Sequence, residues 1–306
     1  MFTPRDSRGT IYGGSLTGLF YGDGSDGSVT FDGSSVVLGL TPSSSIYTLA
    51  RDIFLSSSTI NNAVSIITNG FRIYCNGVLT NNGTIQWNGN AAVLAVRGAN
   101  IINSNSSIGI DIFGSQGANG GTGVGANGSA AGSTGYTFGG VGGAGGAGAS
   151  AGGSGGTATT LTSNYGSARS LPTASAGILQ NPVSLGGIKM VYGGTGGGAG
   201  GGDAVNSGGA GGSGAGLVII TAYLFSGTGN IQAVGGNGGN GAVAGTNCGG
   251  GGGGGGGAII IISRSISAGA ITGQTLSVAG GTHGNKTGTG INGSDGNSGT
   301  TILLNN

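Results

Sequence analysis

The sequence predicts an all-β chain with essentially no α-helix. β-solenoid-like coils carry glycine-rich, polyglycine-II-type helical tracts packed alongside. Three observations predict this. Eighty of the 306 residues are glycine, and much of that glycine arrives at a period of three. Short β-branched runs, Leu217-Val218-Ile219-Ile220 and Ala258-Ile259-Ile260-Ile261-Ile262, stand between the glycine tracts. Glutamate is absent and lysine occurs only at Lys189 and Lys286, so two common helix formers are missing from the surface.

Composition bounds the class. Glycine and proline make up about 27% of the chain, a level usual for low-complexity segments. A mean hydropathy of +0.20 and only 6% charged residues oppose disorder, because disordered chains are polar and highly charged. The apolar runs suit buried strands and are too short to span a membrane as helices. Net charge is +1 with no basic stripe, which argues against a nucleic-acid partner. Cys75 and Cys248 read as small buried hydrophobes, with pairing left open. Met1 to Arg8 is charged and no apolar stretch follows, so no secretory signal is expected.

Taken in order, residues 1–50 form a turn-rich leader in which Ser28 to Gly33 alternates like a short strand. Residues 51–113 read as β-helical coils. Asn-Gly recurs at Asn69-Gly70, Asn76-Gly77, Asn82-Gly83 and Asn88-Gly89, and Asn-Gly supplies the positive φ of tight turns. The strands left between are three to five residues long, which suits the sides of a coil better than hairpins. A weak repeat supports this: Gly83 to Asn90 resembles Gly229 to Asn237. Residues 114–306 are glycine-rich, with tracts at about 114–160, 192–216 and 234–257 and strands at 217–225 and 258–278. Both faces of the strand segments 217–225 and 258–262 are apolar, as expected of strands covered on each side.

The tracts are phased as glycine-glycine-X, for example GGVGGAGGAG from Gly139 to Gly148 and GGNGGNG from Gly235 to Gly241. A polyproline II helix has three residues per turn, so such a tract carries no side chain on two faces. Backbones then approach closely and hydrogen-bond sideways. Collagen is excluded, since its period is G-X-Y and this chain has four prolines. Gly249 to Gly257, nine glycines in a row, shows no phase and fits either a packed rod or a linker.

No motif points to a cofactor, a metal or a catalytic centre. Gly123 to Gly128 matches G-x-G-x-x-G, but the residues that follow cannot make the helix whose amides would face a pyrophosphate. Gly22 to Gly27 and Gly200 to Asp203 resemble calcium loops but lack acids at alternate positions and a closing glutamate; turn chemistry accounts for them. A single histidine, His283, and two distant cysteines make no zinc cluster. Asp23, Asp26, Asp32, Asp111 and Asp203 supply a carboxylate pair only through folding that the sequence does not reveal. The candidate binding residues are three aromatics in glycine-rich surroundings, Tyr136, Phe138 and Tyr165. They suit stacking on sugars or anchoring a partner, or equally filling gaps between rods.

The glycine tracts resemble those of bacteriophage receptor-binding adhesins, in which polyglycine-II-like helices pack into a sandwich. Separately, Gly22 to Gly27, Arg51-Asp52-Ile53-Phe54 and Thr68 to Ile73 resemble a family of glycine-rich structural proteins of tailed phages. The resemblance implies a virion surface protein, released by host lysis, with residues 1–50 as its anchor. It implies a tail fibre or receptor-binding adhesin that contacts a host surface glycan or outer-surface protein. A capsid decoration protein or head fibre is the alternative, and a bacterial surface adhesin comes third. Other virion proteins are the implied partners, in a homo-oligomer for which a trimer is expected. It transfers no binding residue.

Overall fold

Alternation along the first long strand sets the architecture. In β3 (Ile53–Ile60), Ile53, Leu55, Ser58 and Ile60 are buried while the residues between them are half-exposed, as in a strand with one face on a core. The computed structural model describes residues 22–86, 93–96, 100–103, 110–114, 136–137, 139–149, 191–203, 206–227, 229–242, 247–265 and 274–305. Among these residues there is no helix, and the strands lie in mainly parallel sheets. The chain is all-β, as the composition predicts.

Two sheets face one another. The larger stacks β1 (Gly27–Phe31), β3, β5 (Ile73–Cys75) with β6 (Val78–Asn81), β9 (Asn100–Asn103) with β10 (Ile110–Gly114), β13 (Leu217–Gly227), β15 (Ala258–Ser265) and β17 (Thr300–Asn305). The smaller stacks β2 (Ile46–Thr48), β4 (Ser65–Ile67), β7 (Thr84–Gln86), β8 (Val93–Val96), β14 (Gly229–Gln232) and β16 (Gln274–Ser277). The chain mostly alternates between the sheets, adding rungs to each in turn, although β7 and β8 fall together in the smaller and β9 and β10 in the larger. Pairing is parallel except around β8, β9 and β10, which run against both neighbours. Residues 27–48 belong to this stack, since β1 pairs with β3 and β2 with β4. Between the sheets, Phe31, Tyr47, Leu55, Ile66, Leu79, Ile85, Phe225 and Ile231 are fully buried. Cys75 and Cys248 are both free and buried; burial pushes the Cys75 thiol up to about 11. The residues from Leu217 to Ala222 and from Ala258 to Ile261 are buried without alternation, as strands covered on both faces require.

The Asn-Gly pairs do two different jobs. Asn69 and Gly70 take positive φ, 50° and 90°, in the turn closed by Phe71 N–H to Thr68 C=O at 2.8 Å. Gly77 and Gly83 have no positive φ, contrary to the turn expectation. They are glycine because a Cβ would run into the backbone carbonyls of Ser56 and Val64 on the preceding rung. Asn88-Gly89 lies outside the described residues.

Among the described residues seven glycine-bearing tracts extend from the strands: tract 1 (139–149), tract 2 (193–203), tract 3 (206–216), tract 4 (233–242), tract 5 (247–257), tract 6 (278–287) and tract 7 (290–299). They are joined by backbone hydrogen bonds that recur every third residue. Gly249, Gly252 and Gly255 donate to tract 2 and accept from tract 3; Gly250, Gly253 and Gly256 donate to tract 7 and accept from tract 1. Gly251, Gly254 and Gly257 donate to tract 4, and Gly251 and Gly254 accept from tract 6. The six outer tracts are bonded in turn, 1 to 2, 2 to 3, 3 to 4, 4 to 6, 6 to 7 and 7 to 1, closing a ring around tract 5.

Each sheet continues into one layer of tracts. Tracts 3, 5 and 7 run straight into β13, β15 and β17, whose first residues Leu217, Ala258 and Thr300 stand in register. Tracts 4 and 6 leave from β14 and β16. Tracts 1 and 2 leave from a third, two-stranded sheet, β11 (Tyr136–Thr137) with β12 (Val191–Tyr192). Bonding is parallel within each layer and antiparallel between layers.

Side chains thin out toward the middle. In tract 4, Gly235 and Gly238 donate to tract 6, Gly236 and Gly239 donate to tract 3, and Val234, Asn237 and Asn240 are exposed. That is the origin of the glycine-glycine-X phase. Tract 5 has neighbours on every side and no position for X. Tracts 6 and 7, at an outer edge, keep inward glycine at only one position in three. The region from 278 to 299 was not marked as tract by its sequence for that reason. Of the stretch expected at 114–160, residues 115–135, 138 and 150–160 lie outside the described residues.

Gly253→Ala tests the close approach. A Cβ at Gly253 collides with the Gly281 carbonyl and crowds Gly296 N, so the variant is expected to lose more than about 3 kcal/mol of stability. Ala144→Ser, at an exposed position of tract 1, is expected to stay within about 0.5 kcal/mol of the parent. Calorimetric melting of both variants checks this, and equal melting temperatures would contradict the packing.

Candidate functional site

Functional surface is sought where the tracts turn back, at the end remote from the strands. Tracts 2 and 3 are joined there by Asp203 and Asn206: the Asn206 N–H donates to Asp203 Oδ1 at 2.6 Å, and Asp203 N–H to the Asn206 carbonyl at 3.0 Å. Tracts 6 and 7 are joined by a turn closed by Gly290 N–H to Thr287 C=O at 3.0 Å. Thr287 ties the ends together. Its hydroxyl donates to the Ala242 carbonyl at 3.2 Å and accepts from Cys248 N–H at 3.3 Å. The Cys248 thiol lies 3.6 Å from the Asn206 carbonyl, and Asn247 Oδ1 accepts from Thr289 N–H at 3.1 Å. The outgoing and returning chains are thereby fixed to one another.

Among the described residues the surface so built is nearly neutral. Ala149, Ser207, Asn247, Gly288 and Thr289 are exposed there, and Ile291 stands 60% exposed at the start of tract 7. An exposed apolar side chain at the same end as exposed amides and hydroxyls has the chemistry of a contact surface, with an anchor and hydrogen-bonding groups. Among the described residues no three His, Cys or Asp side chains come together.

Down the flank, polar X residues close the remaining backbone donors. Asn237 and Asn240 Oδ1 accept from the N–H groups of Thr282 and Asn285 on tract 6, at 3.0 and 2.8 Å. From the other side, Asp295 Oδ1 accepts from His283 N–H and Asn292 Oδ1 from Lys286 N–H, at 2.8 and 2.9 Å. Tract 6 therefore keeps glycine on its inward face and at Gly280, where a Cβ would meet the Gly296 carbonyl, while side chains of tracts 4 and 7 serve its other outward amides. His283 Nδ1 also lies 2.5 Å from Asp295 Oδ1.

The residues singled out from sequence fall elsewhere. Tyr136 lies on β11 at the base of tract 1, paired with Val191, at the end opposite the turns. Phe138 and Tyr165 lie outside the described residues. Of the aspartates, Asp23 and Asp26 share the turn before β1 and each has its own partners. Asp23 Oδ1 accepts from Ser25 N–H, while Asp26 takes two bonds from Arg51 at 2.7 and 2.8 Å and one from Phe54 N–H. Asp32 accepts from the backbone of Ser34 and Ser35 and from the Ser35 hydroxyl, with the Tyr47 hydroxyl 3.1 Å away. Asp111 sits on β10, and Asp203 at the far end of tract 2. Asp23, Asp26, Asp32 and Asp203 thus serve turns, whereas Asp111 lies within a strand. Nothing in the sequence marked Thr287 or Ile291; the signal available was the loss of glycine phasing at each tract end.

Two predictions follow from the polar closures. Asn240→Ala frees the Asn285 N–H to water and is expected to cost about 0.5–1.5 kcal/mol, with Asn237→Ala adding a similar loss, read from denaturant midpoints. The second concerns acid. Bonds from Arg51 hold the Asp26 carboxyl below its ordinary value; the Ser35 hydroxyl and amides of Ser35 and Ser34 do so for Asp32, and the His283 N–H for Asp295. A carboxylate lowered by folding adds stability that is present above its unfolded pKa, about 3.9, and is lost as pH falls through the folded value. The melting temperature is expected to hold above about pH 5 and to fall below about pH 4, with a shallower acid slope in Asp26→Asn. A melting temperature that rises on acidification would contradict this.

No family model matches this chain, and no curated protein or solved structure matches it.

Proposed function

We propose that this chain is a structural protein of a bacteriophage virion, a tail fibre or receptor-binding adhesin. The distal end of the glycine tracts meets a host surface glycan or outer-surface protein. In this reading the strand stack is a β-solenoid-like stem, and the tracts are polyglycine-II-type helices, six packed around one. The observation that carries it is the three-residue step of the inter-tract hydrogen bonds, the step of a helix with three residues per turn. Tracts of about ten residues at ~3.1 Å each hold the turns roughly 30 Å from the strands. A rigid post that ends in turns suits an organ of contact, because turns tolerate sequence change more readily than packed tracts do. The chain acts as a homotrimer beside other virion proteins, with a neutral surface suited to an extracellular particle.

A capsid decoration protein or head fibre is the second reading. What favours it is β17, which among the described strands pairs only with β15 and bears Leu303, 44% exposed; an edge of this kind suits a flat partner. Immunogold labelling of intact virions with antibody against this chain separates the two. Label at the tail tip or fibres is expected. Label spread over the head would replace the adhesin with a decoration protein, and particles without label would remove the virion role.

A further inference from the structure

Asn-Gly is the dipeptide most prone to spontaneous loss of ammonia. The glycine nitrogen attacks the asparagine side-chain carbonyl carbon; an N–C bond forms, the C–NH2 bond breaks, and ammonia leaves with the glycine proton. Water then opens the five-membered succinimide to aspartate or isoaspartate. The reaction needs a free glycine N–H and a side-chain amide able to swing back onto it.

Six Asn-Gly pairs lie in the described residues, and five are held. Gly83 N–H donates to Asn81 Oδ1 at 3.1 Å. Gly238, Gly241 and Gly293 donate to the carbonyls of Thr282, Asn285 and Gly284 at 2.8, 2.8 and 3.2 Å. Gly77 N–H is turned to the Cys75 sulfur. At Asn237, Asn240 and Asn292 the side-chain oxygen is engaged as well, on Thr282, Asn285 and Lys286. The sixth pair differs: Asn69 and Gly70 are both exposed at the tip of the turn between β4 and β5. Exposure does not separate the sites, since Asn237, Asn240 and Asn292 are exposed too. The hydrogen bonds do.

We propose that, among the described Asn-Gly pairs, Asn69 is the modification site, converting to aspartate and isoaspartate as the protein ages, while the inter-tract hydrogen bonds shield the tract asparagines. Conversion adds one negative charge and takes the net charge from +1 to zero. The isoaspartate form also lengthens the backbone by one carbon inside a turn closed between Thr68 and Phe71. The proposal is independent of the reading as a virion protein.

The test is peptide mapping by mass spectrometry of the intact chain during incubation at mildly alkaline pH, with a parallel sample in guanidinium. In the native chain Asn69 is expected to convert at least about tenfold faster than Asn76, Asn82, Asn237, Asn240 and Asn292, whose reaction waits on local opening. In denaturant the six rates are expected to converge. Comparable native rates at Asn69 and the tract asparagines would overturn the proposal. So would a ranking that persists in denaturant, which would place control in local sequence. Asn69→Gln, which keeps the turn exposed, is expected to leave Asn76, Asn82, Asn237, Asn240 and Asn292 as slow as in the parent; fast native conversion at any of these five would also overturn it.

Discussion

Gly249 to Gly257 can be reached by hydrogen bonds from six directions because none of the nine carries a side chain. Every one of these glycines donates its N–H and accepts at its carbonyl, and the partners are distributed over six other tracts and the start of β17. Adding one methyl group at Gly250, Gly253 or Gly256 would place it against the backbone of a neighbour. The rest of the bundle is arranged by this requirement. Tracts touching tract 5 need glycine toward it, tracts touching each other need glycine there, and side chains survive only where a face is left over.

Hydrogen bonding alone does not hold such an assembly together. Ordering a residue costs about 1–2 kcal/mol of backbone entropy, and more for glycine, whereas a net hydrogen bond returns about 0.5–1.5 kcal/mol. Dense backbone contact adds dispersion, yet the tracts still gain from being delivered in register. The strands deliver them. Apolar runs such as Ile259 to Ile261, fully or nearly fully buried, fix β13, β15 and β17 side by side, and the tracts entering those strands are aligned before they meet. The side-chain-rich stack and the side-chain-poor bundle divide the work between burial and hydrogen bonding.

Much of this was legible in the chain, and the parts that were not share a cause. The glycine-glycine-X phase marked tracts 1, 3 and 4, because a tract with one free face must place its side chains there. Tracts 6 and 7 escaped notice, since Asn237, Asn240, Asn292 and Asp295 replace backbone neighbours and lower the glycine requirement. The unphased run Gly249 to Gly257 looked uninformative, yet absence of phase is what a tract enclosed on every side must show. Gly77 and Gly83 were read as turns from the residue pair alone, whereas a neighbouring rung demands them. The tip was least legible. Thr287 and Asn247 matter through contacts with other tracts, and contacts across tens of residues leave no local pattern.

The continuity of tracts 3, 5 and 7 with β13, β15 and β17 has a mechanical consequence. A pull on the tip along the tract axis passes through covalent backbone directly into the last three strands of the larger sheet. The hydrogen bonds between adjacent tracts and strands lie across that axis, so they are loaded in shear, many at once, rather than peeled one at a time. The polypeptide is built to transmit tension from its far end to its base without a hinge between them.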